Sequence, residues 1–144
     1  MPNLEDYAGD FNAYNKAVVD EFRDNGGHVT GMFAGAPLVL ITHTGAKSGK
    51  QRTSPVVYTR DGDNIVVIAS KGGAPTHPDW YRNLVANPDV TVELPNEKFD
   101  VRARTATGEE RERLFRAQAD LMPNFDEYQK KTSRELPVVV LERV

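Results

Sequence analysis

The sequence contains 144 residues with a mass of 16.0 kDa, which is the size of one ordinary domain. Its 18 Lys and Arg residues stand against 21 Asp and Glu, and the net charge of −3 implies no general affinity for nucleic acid. It contains no cysteine, which excludes disulfides, thiolate nucleophiles and cysteine-ligated metal centres.

The first predicted element is an amphipathic helix over residues 10–25. Its apolar residues recur at three- and four-residue steps, and Gly26-Gly27 follows as the stop. We expect this helix to pack against the body of the protein, with a membrane-surface or substrate-lid role as the alternative. Residues 1–10 are a candidate disordered segment.

Strands predominate in the rest of the chain. Six segments are apolar throughout or alternate between apolar and polar residues, and Asp61-Gly62 and Pro95-Asn96 each indicate a hairpin turn. The predicted strands are residues 37–42, 53–59, 64–70, 90–94, 99–103 and 136–141.

Helices interrupt these strands. A short helix is predicted over residues 78–86, and one or two further turns over residues 124–131. Between them, Thr107 and Glu110 have the spacing of a capping box that opens a charged helix. The predicted inward stripe of that helix is Leu114, Gln118 and Leu121. The pattern predicts an α+β fold, a small antiparallel β-barrel of about six strands with peripheral helices.

Charge is distributed unevenly along the chain. No Asp or Glu occurs over residues 25–60 or 64–78. The charged residues of these stretches are Lys47, Lys50, Arg52, Arg60 and Lys71. Acid-free stretches on strands and loops create a field that attracts an anionic ligand, and the alternative is that these are ordinary solvated side chains.

The first of two glycine loops is Thr44-Gly-Ala-Lys-Ser-Gly-Lys50. Its glycines let backbone N–H groups turn toward one point, and its hydroxyl and lysine side chains match a phosphate or carboxylate cradle. It is not a Walker A motif, because Thr44 replaces the first glycine and Gln51 stands where Ser or Thr would bind Mg²⁺. The loop therefore predicts anion binding without ATPase activity.

The second glycine loop is Ala69-Ser-Lys-Gly-Gly-Ala-Pro75. Its glycines allow the main chain to approach a flat ligand, and Ser70 and Lys71 add hydrogen-bond donors. Trp80 and Tyr81 follow and offer ring faces, with a core role as the alternative for Trp80. The two loops together predict a cofactor with a planar ring and an acidic tail. The sequence has no pattern for a metal site, a hydrolase triad or a Rossmann fold.

In combination, these loops and the residues around them resemble the deazaflavin-dependent nitroreductase and quinone reductase family of actinobacteria. This family uses coenzyme F-420, an 8-hydroxy-5-deazaflavin with a phosphate and a polyglutamate tail. The similar stretches, from about Phe11 to the C-terminus, are residues 40–52, 54–58, 69–75, 77–84, 86–90, 126–128 and 136–140. The resemblance implies a split β-barrel that transfers a hydride to a quinone, enone or nitroaromatic-type acceptor.

The resemblance also implies which residues bind the cofactor. Those at its phosphate and glutamate tail are Lys47, Ser48, Gly49 and Arg52. Those that run beside it with backbone contacts are Thr53, Ser54, Pro55, Val56 and Val57. Those at or near the deazaflavin ring are Ala69, Ser70, Lys71, Gly72, Trp80, Tyr81 and Asn83. For catalysis, Lys71 is a candidate to neutralise charge on the ring, and Tyr128 is a candidate proton donor.

The sequence departs from the family pattern at two places. Position 46 is alanine where many relatives carry Arg or Lys, which predicts one tail contact fewer. Over residues 122–128 only Tyr128 keeps a phenol, in a segment that is tyrosine-rich in some nitroreductases of the family. Two alternatives to the reductase stay open, an FMN-binding split-barrel oxidoreductase and a non-catalytic deazaflavin carrier.

The expected partner is a small-molecule electron acceptor, with no nucleic acid, in a protein that is a monomer or a homodimer. The sequence shows neither a signal-peptide pattern nor an apolar run of the roughly 20 residues that span a bilayer. We therefore expect a cytoplasmic protein, with peripheral contact to the inner face of the membrane through the first helix as a candidate.

Overall fold

The computed structural model describes residues 11–144 and contains a closed barrel of antiparallel strands in the order β1-β2-β3-β6-β5-β4. The strands are β1 Leu38–Thr44, β2 Gln51–Asp61, β3 Asn64–Ile68, β4 Asp89–Leu94, β5 Glu97–Thr105 and β6 Val138–Arg143. The helices are α1 Phe11–Asp24, α2 Asp79–Ala86, α3 Gly108–Leu121 and α4 Asn124–Lys130. The predicted α+β antiparallel barrel is confirmed. Residues 1–10, the candidate disordered segment, lie outside the described residues.

Strand β1 is buried on both faces, which explains its unbroken apolar run. Val39 and Ile41 fill the barrel interior, whereas Leu38 and Leu40 contact α1 on the outside. The same alternation puts His43 on the interior face near the end of the strand, where its side chain is buried.

Helix α1 covers one side of the barrel. The residues of its buried stripe, which packs on Leu38 and Leu40, are Tyr14, Val18, Val19 and Phe22. Gly26 and Gly27 have φ values of 62° and 93°, so the predicted glycine stop is confirmed. The apolar stripe that was a candidate for lipid contact is therefore buried against the barrel. Within residues 11–144, no helix has both the length and the apolar character that crossing a membrane requires.

The strand ends near the two glycine loops differ from the prediction. β1 and β2 each extend two residues further toward their connecting loop, because cross-strand pairs continue the ladder. In one such pair, the hydroxyls of Thr42 and Thr53 are 2.9 Å apart. β3 ends two residues earlier than predicted, because the carbonyls of Ala69 and Ser70 turn toward the guanidinium of Arg134.

The start of α3 also differs from the prediction. Thr107 is the N-cap residue, but its side chain makes no capping hydrogen bond. Glu110 instead accepts hydrogen bonds of 2.6 and 2.9 Å from Arg104, so the capping-box prediction is wrong. The predicted stripe of this helix ends early, since Leu121 in the last turn is 73% exposed.

A second core cluster joins α3 and α4 to the outer face of β3 and β6. Its large buried members include Ile68, Phe115, Phe125 and Leu136. This packing sets α4 beside the second glycine loop. The two approach so closely that a Cβ at Gly73 would lie only 2.6 Å from the carbonyl oxygen of Tyr128. The loop and the helix therefore pack without a gap between them.

Candidate cofactor site

Both glycine loops lie at one end of the barrel, beside the first half of β2. Residues 45–50 join β1 to β2 there, and β3 runs toward the same end with Val67 opposite Tyr58. Within the described residues, β2 pairs with β3 only from Tyr58 onward. The edge of residues 51–57 that faces away from β1 therefore has no strand partner, and we refer to it as the β2 edge. At about 3.3 Å per residue it is roughly 20 Å long, and it links the two loops.

The loop of residues 45–50 has two free backbone N–H groups at its tip. The other amides pair as follows: Gly45 with the Lys50 carbonyl at 2.8 Å, Ala46 with Asn83 Oδ1 at 2.9 Å, Gly49 with the Gly45 carbonyl at 3.0 Å, and Lys50 with Ser48 Oγ at 3.2 Å. Among residues 11–144, no acceptor contacts the N–H of Lys47 or Ser48. Consecutive free amides of this kind form an anion-binding concavity.

The cations of this loop and of the adjoining start of β2 are also free. Lys47, Lys50 and Arg52 are exposed, and none of them forms an ion pair with a carboxylate of the described chain. Arg104 on β5, by contrast, binds Glu110 at 2.6 Å. Unpaired cations beside free amides fit a phosphate or a carboxylate tail.

The second loop, residues 69–75, has a strained backbone. Lys71 has a φ of 48° and is the only non-glycine residue with positive φ over residues 11–144, and Gly72 follows at 63°. Their N–H groups contact no acceptor in that part of the chain, and Nζ of Lys71 donates to the hydroxyl of Thr76 at 3.2 Å. Backbone strain of this kind is typical of functional sites, and the two free amides form a second anion-binding concavity.

Arg134 holds the second loop in place. Its guanidinium donates to the carbonyls of Ser70 at 2.7 Å, Ala74 at 2.8 Å and Ala69 at 3.2 Å, and contacts His77 Nδ1 at 3.0 Å. Burial lowers the pKa of Arg134, but a guanidinium stays charged at neutral pH. Sequence analysis missed this residue, because 57 to 65 positions separate it from its partners and no local pattern marks it.

The side chains of the predicted cofactor-binding residues on β2 are packed within the protein itself. The buried or half-buried residues of this group are Thr53, Ser54, Pro55, Val56 and Val57. Ala69 in the second loop is fully buried as well. The β2 residues therefore have chiefly their backbone to offer a ligand.

Aromatic rings begin α2, next to the second loop. Trp80 packs against the barrel-interior cluster and is half-buried, which is the core role given above as its alternative. The ring of Tyr81 lies edge-on to His77 at 5.0 Å and to Trp80 at 6.5 Å between centroids. Its hydroxyl is 3.1 Å from that of Thr105. The two predicted ring contacts therefore lie beside the loop that carries Lys71.

Tyr128 lies on α4, behind the second loop. Its backbone contacts Gly73, as described above, and its hydroxyl accepts a hydrogen bond of 2.9 Å from Nδ2 of Asn124. Its ring packs edge-on against Phe125, with 5.6 Å between centroids. The structure thus brings the segment of Tyr128 next to the loop of Lys71.

Asn83, expected near the deazaflavin ring, lies instead against the first loop, and with His43 it connects the barrel end to that loop. Nδ1 of His43 is 2.9 Å from Nδ2 of Asn83, and its Nε2 is 2.9 Å from Oγ of Ser54. Burial, assisted by the positive charge of Arg52, lowers the pKa of His43 to about 4. Sequence analysis missed the place of His43 in this network, because the sequence showed only that this histidine has no metal-ligand spacing. No group of three or more potential metal ligands occurs among the described residues.

Two surface depressions are lined by residues outside the two loops, although Tyr81, beside the second loop, lines one of them. One, of about 250 Å³, is lined by α2 and β5 residues such as Tyr81, Leu84 and Arg104. The other, of about 310 Å³, lies between β2 and the end of α3, at Tyr58 and Met122. Neither depression includes a residue of the loops or of the β2 edge, whose free donors suit a long ligand with an anionic tail and a flat ring.

Comparison with known proteins identifies the family of this chain. The family model described as F420H(2)-dependent quinone reductase matches residues 14–143. The F420H(2)-dependent quinone reductase Rv1261c of Mycobacterium tuberculosis (strain ATCC 25618 / H37Rv) is 40% identical over 126 residues, and the match covers 85% of this chain and 85% of that one.

Two solved structures agree with this match. One, described as an F420-H2 dependent reductase (FDR-A), is 44% identical with a TM-score of 0.68, and the match covers 74% of this chain and 94% of that one. Another, described as a domain-swapped dimer, is 37% identical with a TM-score of 0.70, over 96% of this chain and 98% of that one. The chain therefore belongs to the F420H(2)-dependent quinone reductase family, a family of oxidoreductases that depend on reduced coenzyme F-420.

Proposed function

We propose that this single barrel domain binds coenzyme F-420 along the β2 edge and uses its reduced form to reduce a quinone. The observation that carries this proposal is the unpaired β2 edge between the two loops, with two free amides in each loop and unpaired cations at one end. The chemistry of these donors fits the phosphate and glutamate tail at residues 45–52 and the ring at residues 69–72.

Each group of residues has a separate task in this proposal. Bound reduced coenzyme supplies a hydride from C5 of its deazaflavin ring, so the redox chemistry belongs to the cofactor. The residues that bind the tail are Lys47, Ser48, Gly49 and Arg52. Ser70, Lys71 and Gly72 hold the ring region, where the Lys71 ammonium neutralises negative charge.

The acceptor needs a proton in addition to the hydride, because a quinone becomes a hydroquinone by gaining both. Asn124 donates to the hydroxyl of Tyr128, so this phenol keeps its own hydrogen for another acceptor. We assign Tyr128, directly or through a water molecule, as the proton donor. Quinones and enones are the preferred acceptors. Nitroaromatic compounds are expected to be poor ones, because the segment that is tyrosine-rich in some nitroreductases of the family here carries Met122, which has no hydroxyl, and Phe125, which is buried.

We include neither a lipid nor a particular assembly in this activity. The apolar stripe of α1 is buried against the barrel, so peripheral membrane contact is left out of the proposal. A monomer and a homodimer are both open as the assembly of this protein. A solved relative is described as a domain-swapped dimer, which is a reason to measure the assembly of this chain. Light scattering with and without the cofactor distinguishes the two assemblies.

Binding is tested by titrating the protein with oxidised coenzyme F-420, with FMN in parallel. Trp80 is the only tryptophan and lies in the first turn of α2 beside the second loop, so its fluorescence should be quenched. We expect binding that weakens with salt, a weaker affinity for FMN, and a loss of about tenfold for each of Lys47→Ala and Arg52→Ala.

The matched control for these variants is Lys98→Ala. Lys98 is an exposed lysine on β5, near the other end of the barrel, and it forms no ion pair within residues 11–144. Its loss should leave the affinity unchanged. If the protein binds FMN more tightly, FMN takes the place of coenzyme F-420 as the proposed cofactor. Equal losses of affinity in Lys47→Ala and Lys98→Ala would contradict the assigned tail site.

Turnover with a water-soluble naphthoquinone tests the two catalytic candidates. Lys71→Ala should weaken cofactor binding and lower turnover by about tenfold, because an opposing charge is lost. Tyr128→Phe should leave binding unchanged and lower turnover by about a hundredfold, within the usual contribution of a general acid. Unchanged turnover of either variant at saturating cofactor would remove that residue from the mechanism.

A further inference from the structure

A buried hydrogen-bond network joins β1, α2 and the first loop. His43 is 2% exposed and Asn83 is 9% exposed. The amide group of Asn83 contacts His43 on one side and the N–H of Ala46 on the other, both at 2.9 Å. Ala46 immediately precedes Lys47, the first of the two residues with a free N–H. The network therefore reaches the anion-binding end of the β2 edge through a single residue.

The chemistry of the partners fixes the direction of every bond in this network. A backbone N–H can only donate, so the atom of Asn83 that faces Ala46 is the carbonyl oxygen. Nδ2 of Asn83 must then face His43 and donate to it, which makes Nδ1 of His43 the acceptor. A neutral imidazole that accepts at Nδ1 carries its proton on Nε2, where it donates to Oγ of Ser54.

We propose that His43 is a positioning residue for the anion-binding loop, because its Nδ1 orients the amide of Asn83 that holds Ala46. This inference rests on the proposed tail site at residues 45–52. Without the acceptor at Nδ1, the Asn83 amide is free to rotate, and its oxygen no longer holds the Ala46 N–H in one position. The free amides of Lys47 and Ser48 then lose their common direction, which weakens binding of an anion more than binding of the ring.

Conservative replacements at position 43 separate this role from packing. Asn places Oδ1 two bonds beyond Cβ, as His places Nδ1, so His43→Asn keeps an acceptor for Asn83. Gln extends one bond further and keeps a donor for Ser54, but loses that acceptor. We expect His43→Asn to bind coenzyme F-420 within about threefold of the wild type, and His43→Gln and Asn83→Leu to bind it about tenfold more weakly.

A second ligand makes the test specific for the tail. The tail-less 8-hydroxy-5-deazaflavin with its ribityl chain alone should bind all four proteins within about twofold. Equal losses for both ligands would show a merely structural role and overturn the proposal, as would equal affinities of His43→Asn and His43→Gln. If the wild type binds the tail-less compound as tightly as coenzyme F-420, the proposed tail site itself fails.

Two measurements on the protein without ligand report on the network directly. The ¹⁵N NMR spectrum of the imidazole should show an unprotonated Nδ1 and a protonated Nε2 in the wild type. The amide hydrogen of Ala46 should exchange slowly in the wild type and in His43→Asn, but at least tenfold faster in Asn83→Leu and His43→Gln. The opposite tautomer, or an Ala46 amide that exchanges equally fast in all four proteins, overturns the positioning role even where the tail site is confirmed.

Discussion

Replacing Arg134 with methionine is expected to lower the free energy of unfolding by about 3 kcal/mol and to weaken binding of coenzyme F-420 more than tenfold. One guanidinium donates to the carbonyls of Ala69, Ser70 and Ala74. Hydrogen bonds from a charged donor contribute roughly 1.5–3 kcal/mol each, and they are not additive. Methionine retains apolar volume but has no donor, so it leaves the three carbonyls without this partner.

The loss of affinity has a separate cause, the strained backbone of Lys71. A positive φ at a non-glycine residue persists only where its surroundings enforce it, and Arg134 binds the carbonyl of the preceding residue, Ser70. Without this clamp the loop relaxes, and the free amides of Lys71 and Gly72 are no longer preorganised for the ligand. Arg134→Lys keeps the charge but lacks the planar fork, so it should restore less than half of either loss.

Urea unfolding followed by circular dichroism, and the Trp80 titration, measure these two effects. The control is Arg102→Met, which removes an exposed arginine on β5 that pairs with Asp89 at 3.2 Å. An exposed ion pair of this kind contributes at most about 1 kcal/mol, so the control should keep both stability and affinity. Wild-type affinity in Arg134→Met would show that the second loop holds its conformation without this clamp.

Features of the fold that depend on neighbouring residues could be predicted from the sequence. The Asp61-Gly62 turn joins β2 and β3, and Gly62 has the positive φ that favours glycine. The apolar stripe of α1 predicted a helix packed on the body of the protein. The two runs rich in glycine likewise predicted the connections at residues 45–50 and 69–75, which lie outside the strands.

Features that depend on partners distant in the sequence could not be predicted. The Thr107 and Glu110 spacing suits a capping box, but Arg104 on β5 is a charged donor that takes the Glu110 carboxylate. The β2 edge exists because β3 ends at Ile68, and that end depends on Arg134. Which loop amides stay free is determined in the same way, by tertiary partners such as Asn83.

Titration of His43 leads to the second large effect. Between pH 7 and pH 5, the free energy of unfolding of the wild type should fall by about 2 kcal/mol more than that of His43→Asn. Burial and the nearby charge of Arg52 lower the pKa of His43 to about 4 in the folded protein, against an ordinary value of 6.5, although Asp79 opposes this shift. Between these values the unfolded chain binds a proton that the folded protein does not. The stabilisation is therefore complete above about pH 6.5 and is lost progressively as the pH falls toward 4.

Other titrating groups change stability in the same direction, which is why the comparison with His43→Asn is needed. Burial and Arg134 lower the pKa of His77, and hydrogen bonds from arginines lower the pKa of three carboxyl groups. Those carboxyl groups are Asp61, Glu110 and Asp126. Their effects should be the same in both proteins, and the carboxyl groups act mainly below about pH 4.5. Urea unfolding at pH 7, 6 and 5 gives the two curves. Parallel curves would mean that His43 gains a proton in the folded protein as readily as in the unfolded chain, and the buried acceptor at Nδ1 would then be contradicted.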